Sequence, residues 1–237
     1  MILNRKWGTR PLMAHAPGPA EKVPLLQPLT HLTRLMSRTE LPRSVTVVTF
    51  NNRTGAGYGG KKLGLLEAGL EAVGVPYTVL GGDVGKWPGN LIKIRLLDEY
   101  AASAGTEYLL MADSTDVFVT NRLEGLVERF LGLGCDAIFN AEKDMSPKGL
   151  TEDFYAFENS VHKGLYLNSG LWMARTSFVR ELTAFMRGLP KTHKADQLYF
   201  KLAYRNFHPR MIVDVRCELF QGLRLFGPEE LSLLKVY

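Results

Sequence analysis

The chain has 237 residues, of which 46% are hydrophobic and 22% charged, a composition typical of soluble globular proteins. Its formal net charge of +5 favours an anionic partner without identifying one. No apolar run reaches the ~18 residues of a transmembrane helix, and residues 1–10 lack the apolar stretch of a secretory signal. The sequence therefore predicts a cytoplasmic or otherwise intracellular protein with no membrane partner. The two cysteines, Cys135 and Cys217, form neither a disulfide framework nor a metal-ligand spacing.

Residues 1–43 are predicted to be a proline-rich appendage to a domain at residues 44–237. Prolines interrupt any long element in the first segment: Pro11, Pro17, Pro19, Pro24 and Pro28. Leucines at helical spacing between residues 29 and 36 predict one short helix there.

From residue 44 onward, predicted strands and helices alternate. Strands are expected at residues 44–50, 76–80, 108–119, 137–139, 164–174 and 211–215. The strand at 164–174 is expected to contain a polar break. Helices are expected at residues 61–73, 91–104, 123–133 and 177–186, with another beginning at residue 196. Residues 51–60 are predicted to form a glycine-rich loop, either a weak phosphate-binding signal or a plain mobile loop, and residues 146–163 are expected to be irregular. This alternation predicts an α/β fold with a mainly parallel sheet.

The most informative stretch is residues 108–119, where two apolar runs flank Asp113 and Asp116. A continuous apolar run is typical of a strand buried on both faces. Because an unpaired buried carboxylate is costly, both aspartates are expected at the strand's end, facing a crevice. Ligands bind at the carboxyl ends of strands in open α/β sheets, and two carboxylates there suit a hard cation. The alternative is a turn in which the same residues cap a helix.

Six motifs in order resemble the glycosyltransferase domain of the procollagen lysyl hydroxylase family. The motifs are Lys93 in a helix, Asp113-Ser114-Thr115-Asp116, Ala141-Glu142 followed by Pro147, Leu167-Asn168-Ser169-Gly170, Asp196-Gln197, and Asp214 with Cys217 and Phe220-Gln221. They cover residues 44 to about 225. The resemblance implies a GT-A fold, a single Rossmann-like α/β sandwich that binds a UDP-sugar such as UDP-glucose, with Mn²⁺ or Mg²⁺.

The resemblance also implies roles for particular residues. Asp113 and Asp116 would hold the metal, and Glu142, Asp144 and Asp196 are the acidic candidates for catalysis. The implied contacts to the donor come from Thr49, Lys93, Asp113, Thr115, Asn168, Ser169 and Gln197. Simpler interpretations remain for several of them: Lys93 as a solvated side chain, Asn168 and Ser169 as a turn, Asp196 as a helix cap, and Glu142 in a surface ion pair.

The chain also departs from the family pattern. The family's third metal ligand is a histidine in a late His-x-Asn-Gly segment, and this chain has no such segment before Tyr237. Ser146 replaces a family tryptophan, and the acidic run before Asp196 is reduced. Water and phosphate, or another histidine, would then complete the metal site. His193 and His208 lie nearest to the motifs in sequence, but neither is predicted to be a ligand.

The sequence therefore predicts a metal-dependent hexosyltransferase that uses a UDP-sugar donor and a hydroxyl acceptor on a macromolecule. The acceptor would be hydroxylysine of a protein or a hydroxymethylated base in DNA. Two alternatives stay open: a catalytically degenerate protein that only binds nucleotide sugars, and a nucleotidyltransferase. Product analysis separates them, because a nucleotidyltransferase releases pyrophosphate instead of UDP.

Overall fold

The structure is a computed structural model that describes residues 2–17, 38–52, 64–223, 225 and 231–233. The predicted short helix near residue 32 and most of the glycine-rich loop lie outside these residues. Within the described part, six helices accompany eleven strands in three sheets. No helix among them combines the length and the apolar character needed to cross a bilayer.

The strands and helices have the following bounds. The strands are β1 (Ile2–Asn4), β2 (Met13–His15), β3 (Val45–Phe50), β4 (Tyr77–Leu80), β5 (Tyr108–Asp113), β6 (Val117–Val119), β7 (Ala137–Glu142), β8 (Tyr166–Arg175), β9 (Met211–Asp214), β10 (Phe220–Gly222) and β11 (Leu231–Leu233). The helices are α1 (Leu65–Val73), α2 (Ile92–Ser103), α3 (Leu126–Gly132), α4 (Glu152–His162), α5 (Thr176–Gly188) and α6 (Asp196–Phe207).

The central sheet has six strands in the order β4-β3-β5-β8-β7-β9. All its pairings are parallel except those of β8, which runs antiparallel to both β5 and β7. The predicted α/β fold with a mainly parallel sheet is confirmed. Because β3, β5, β7 and β9 run in the same direction, their carboxyl ends meet at one edge of the sheet, where ligands bind in such folds.

Strand β5 shows why its sequence is a continuous apolar run. Leu109 and Met111 pack into the core cluster on one face of the sheet, with side chains of α2, α5 and α6. Leu110 and Ala112 pack into the cluster on the other face, with α1, α3 and β2. Alternate residues of a strand point to opposite faces, so a strand covered on both sides needs apolar residues at every position. The run ends at Asp113, where the chain leaves the core.

Residues 2–17 are built into this fold. Strand β2 lies between β10 and β6, pairing parallel with the first and antiparallel with the second. Met13 and Ala14 are fully buried there, and β1 pairs with β11. Neither strand can be recognised from the local sequence, because a three-residue strand forms only through its pairing with strands that are distant along the chain. The domain division at residue 43 stays a prediction, since residues 18–37 lie outside the described part.

Two predictions of secondary structure made from the sequence are wrong. Residues 152–162, expected to be irregular, form helix α4. The segment at 164–174, expected to be interrupted, is the single ten-residue strand β8. Its polar residues 168–170 stay in the strand because the pairing of β7 with β8 shifts register between Phe139 and Asn140. The shift leaves residues 169–171 of β8 without partners on β7.

Helix α4 ends beside α6, and this contact predicts a pH dependence of stability. The Nε2 atom of His162 lies 2.5 Å from the hydroxyl of Tyr204. Burial, followed by the neighbouring His208 and Lys201, lowers the pKa of His162 to about 4. The pKa of a histidine in an unfolded chain is ~6.5. Between these values the unfolded chain binds a proton that the folded chain does not, so stability falls as the pH is lowered through this window.

The expected measurement compares the wild type with His162→Gln by denaturant unfolding at several pH values. Relative to the variant, the wild type should lose roughly 1–2 kcal/mol between pH 7 and pH 4.5, allowing for partial solvent screening. Taking the difference removes contributions that both proteins share. A constant difference across this range would contradict the depressed pKa.

Candidate active site and metal centre

A cavity of about 480 Å³ opens at the edge of the sheet where the parallel strands end. Its walls come from β2, from β5 and the turn after it, from β7, β8 and α2, and from the start of α6. The lining residues are His15, Pro17, Asn90, Lys93, Asp113, Asp116, Glu142, Asp144, Ser146, Lys148, Asn168, Ser169, Gly170, Asp196 and Gln197. Five of these are carboxylates and two are lysines, so the cavity is acidic although the chain as a whole is basic.

Three of these side chains form what we call the His–Asp–Asp cluster: His15, Asp113 and Asp116. One potential ligand atom from each lies within 4.8 Å of the others. The Nε2 atom of His15 is 3.4 Å from an Oδ1 of Asp116. Asp113 is the last residue of β5, and Asp116 stands in the turn that leads into β6. The turn continues into a strand, so the alternative in which these aspartates cap a helix is wrong.

His15 is the member of this cluster that the sequence analysis does not predict. It is the last residue of β2 and is buried, with 2% of its surface exposed. Burial alone would lower the pKa of His15, but the charge and hydrogen bond of Asp116, with Asp113 and Glu142 nearby, raise it. A signal was present in the sequence: His15 is followed three residues later by a glycine, as in the family's late segment. His15 lies near the start of the sequence, whereas the histidine of the family's segment is expected near its end.

The donor set and the space around it fit a divalent cation. Two carboxylate oxygens and an imidazole nitrogen suit Mn²⁺ and related ions. Gly170 keeps this space open, because a Cβ atom at that position would lie 2.3 Å from Cε1 of His15 and 3.0 Å from Oδ2 of Asp113. The glycine of the Asn168-Ser169-Gly170 motif therefore has a steric reason to be there. The cluster is a site that can bind a metal ion.

Lys93 contacts this cluster from α2. Its Nζ atom lies 2.6 Å from Oδ1 of Asp113, and only 15% of its side chain is exposed. Burial opposes the charge on this lysine, but Asp113 and Asp196 raise its pKa above the ordinary value. Lys93 is thus a charged group of the cavity, and the interpretation of it as a solvated side chain is wrong.

Glu142 is buried at the end of β7 and is bonded to two amide side chains. Its Oε2 accepts a hydrogen bond of 2.9 Å from Nδ2 of Asn168, and its Oε1 accepts one from Nε2 of Gln197. The Gln197 side chain in turn accepts from the backbone N–H of Ser169. Burial raises the pKa of Glu142, although the bond from Asn168 opposes this. Glu142 therefore joins β7, β8 and α6, and the surface ion-pair alternative is wrong.

Asp196 begins α6 and faces the same cavity. The cap position is Ala195, so Asp196 is the first helical residue rather than the cap. Its Oδ1 accepts a hydrogen bond of 3.0 Å from the backbone N–H of Gln197. Burial raises the pKa of Asp196, while the charge of Lys93 opposes the shift. A buried carboxyl with a raised pKa in a cavity is a typical feature of a functional site.

The remaining predicted site residues divide into two groups. Asp144 lines the cavity and is exposed at its mouth. Thr49 is fully buried in β3, and Thr115 lies in the turn between the two aspartates. Neither threonine is among the described lining residues of the cavity. Their predicted contacts to a nucleotide stay predictions, as do the catalytic and binding roles of the other residues.

The fold and the site together define a GT-A-type α/β domain with a potential metal cluster at the carboxyl ends of its strands. The model of the PLOD GT domain family matches residues 43–233, and the chain belongs to that family. A relative from Drosophila melanogaster, procollagen-lysine,2-oxoglutarate 5-dioxygenase, is 32% identical over 151 residues. This alignment covers 60% of the chain and 20% of the relative, so the chain spans about a fifth of the relative's length.

Two solved structures resemble the chain at low identity. One is a glucose-1-phosphate thymidylyltransferase from Bacillus anthracis, with 9% identity and a TM-score of 0.42, covering 72% of this chain and 86% of that one. The other is 4-diphosphocytidyl-2C-methyl-D-erythritol synthase from Anaerococcus prevotii, with 10% identity and a TM-score of 0.43, covering 78% and 94%. With TM-scores below 0.5, neither likeness carries information about the activity of this chain.

Proposed function

We propose that this domain is a divalent-metal-dependent glycosyltransferase that moves a hexose from a UDP-sugar to a hydroxyl group on a macromolecule. Membership of the PLOD GT domain family supports transfer of a sugar from a nucleotide-sugar donor. The observation that carries the metal dependence is the His–Asp–Asp cluster in the wall of the cavity.

Charge in the cavity supports this proposal. Five carboxylates and two lysines line it, so a diphosphate would be repelled by the protein alone. His15, Asp113 and Asp116 would hold a divalent cation, and its positive charge would offset the diphosphate and stabilise it as a leaving group. The Nζ atom of Lys93, which lies 2.6 Å from Asp113, adds a positive charge of the protein beside the proposed metal site.

The hydrogen-bond pattern separates the proposed roles of the acidic residues. Both carboxylate oxygens of Glu142 already accept from the amides of Asn168 and Gln197, so we assign Glu142 to holding these residues in place. Asn168, Ser169 and Gln197 would then contact the sugar. Asp196 faces the cavity beside Lys93, and we assign it the role of base toward the acceptor hydroxyl. Thr49 and Thr115 keep their proposed place near the uridine.

The acidic lining also bears on the acceptor. The side chain of hydroxylysine carries an ammonium group, which Asp144 at the mouth of the cavity would attract. A DNA strand would bring phosphates toward the same carboxylates. The name of the Drosophila relative refers to a lysine of procollagen, and a hydroxylysine acceptor agrees with it. We therefore favour protein hydroxylysine over a hydroxymethylated DNA base.

The test is a donor-by-acceptor screen with the whole chain. We expect release of UDP from a UDP-hexose with Mn²⁺, loss of release in excess EDTA, and sugar transfer to a hydroxylysine peptide. Transfer to hydroxymethylated DNA instead would overturn the acceptor assignment. Tight UDP binding without turnover of any donor would indicate a degenerate nucleotide-sugar-binding protein. Release of pyrophosphate from a nucleoside triphosphate and a sugar phosphate would indicate a nucleotidyltransferase.

A further inference from the structure

Behind the His–Asp–Asp cluster lies a buried asparagine to which the resemblance assigns no role. Asn140 is in β7, at the register shift between β7 and β8, and is fully buried. Its Nδ2 atom is 3.3 Å from Nδ1 of His15, on the side of the imidazole away from Asp116. Its Oδ1 atom has no hydrogen-bond partner within the described residues. A polar atom of this kind in a protein core needs an explanation.

The chemistry of imidazole gives one. A neutral histidine carries a proton on one ring nitrogen and a lone pair on the other. A metal ion takes the lone pair, so the proton must reside on the remote nitrogen, which then needs a hydrogen-bond acceptor. In the His–Asp–Asp cluster the nitrogen nearest the carboxylates is Nε2. The remote nitrogen is Nδ1, and the group that faces it is the amide of Asn140.

We propose that Asn140 is a positioning residue for the metal centre: its carbonyl oxygen accepts Nδ1–H of His15 and holds Nε2 as the ligand. This inference rests on the metal site of the proposed function. With Nδ2 toward His15, as in this structure, Nδ1 of a neutral imidazole would be the acceptor and Nε2 would carry the proton toward Asp116. A half-turn of the amide about χ2 brings Oδ1 to Nδ1 and reverses the tautomer.

The half-turn has a small cost in hydrogen bonds. In the orientation of this structure Oδ1 is the amide atom without a partner, and after the half-turn Nδ2 occupies that place instead. One bond to His15 is made in each orientation. Coordination of a cation by Nε2 would therefore favour the orientation with Oδ1 toward Nδ1. Asn140 would donate to Nδ1 in the metal-free form and accept from Nδ1–H in the metal-bound form.

The first experiment measures Mn²⁺ affinity directly, without donor or turnover. Free Mn²⁺ is followed by electron paramagnetic resonance in titrations of the wild type, Asn140→Leu and Asn140→Asp. Loss of an outer partner of a metal-bound histidine typically weakens binding about 10–100-fold. We expect this for Asn140→Leu, which keeps the branched shape of the side chain and has no acceptor. Asn140→Asp keeps an acceptor and should bind at least as tightly as the wild type.

A matched control is Thr183→Val, which also removes a buried polar group but lies on α5, bonded to Asp98 away from the cavity. It should leave Mn²⁺ affinity unchanged. If Asn140→Leu binds as tightly as Thr183→Val and the wild type, the inference is overturned while the metal site stands. If the wild type itself does not bind Mn²⁺, the proposed function fails first.

A second measurement uses the wild type, so it does not depend on whether a variant of Asn140 folds. Long-range ¹H–¹⁵N spectra of the wild type with diamagnetic Mg²⁺ report which ring nitrogen of His15 carries the proton, and His15→Gln assigns the signals. We expect protonation at Nδ1 with Mg²⁺ present. Protonation at Nε2 in the presence of saturating metal would refute the role of Asn140.

Discussion

Asp113→Asn and Asp116→Asn are each expected to reduce Mn²⁺-dependent release of UDP from a UDP-hexose by at least about 100-fold. Both aspartates belong to the His–Asp–Asp cluster and line the cavity. Asparagine keeps the size of the side chain but removes the charge, so the effect isolates electrostatics from shape. Removing one preorganised group that stabilises developing charge commonly costs about 10²–10³-fold in rate.

Unfolding must be separated from loss of the site. In the wild type, Mn²⁺ at a hundred times its dissociation constant should raise the free energy of unfolding by about 2.7 kcal/mol. The two variants should lose most of this increment while remaining folded in EDTA. Asp83→Asn is the matched control, because Asp83 is exposed in the loop after β4 and does not line the cavity. Wild-type turnover in both cluster variants would show that the metal assignment is wrong.

Local sequence predicted the part of the site that a single strand supplies. The apolar run of β5 and the position of Asp113 at its end follow from burial on two faces and from the cost of burying a carboxylate. His15 depends on a pairing across more than a hundred residues, since β2 lies beside β6 with His15 opposite Val117. No local periodicity records such a pairing, and three residues are too few to show alternation.

Helix α4 was missed for a different physical reason. Its buried face includes Glu158, which is 2% exposed. A glutamate on the inner face lowers the apparent amphipathicity of the segment, so residues 152–162 read as irregular. Lys201, on α6 and 43 residues further along the chain, supplies the opposite charge, so Glu158 is not buried as an unpaired charge. The element and its partner can only be recognised together.

This ion pair leads to the second large expected effect, on stability. Lys201→Met and Glu158→Gln are each expected to lower the free energy of unfolding by about 3–5 kcal/mol, since each leaves one charge buried alone. The Nζ of Lys201 lies 2.9 Å and 3.1 Å from the two carboxylate oxygens of Glu158, with side chains 1% and 3% exposed. The rings of Tyr155 and Tyr166, 5.5 Å and 5.4 Å from Nζ, complete the surroundings.

The double variant Lys201→Met/Glu158→Gln distinguishes a charge effect from a packing effect. It removes both charges and keeps an acceptor for the backbone N–H of Leu167, which bonds Oε1 of Glu158 at 2.6 Å. Replacing both members of a buried pair with neutral groups is often close to neutral, so the double variant should be more stable than either single variant. Denaturant unfolding of the four proteins gives the coupling energy. Additive losses would mean that the charges do not interact across α4 and α6.

The same four proteins also test whether this ion pair holds strand β8 in place at the site. Leu167, which is bonded to Glu158, directly precedes Asn168 in the cavity wall. If the pair positions β8, Mn²⁺-dependent turnover should fall in the single variants under conditions where they remain folded.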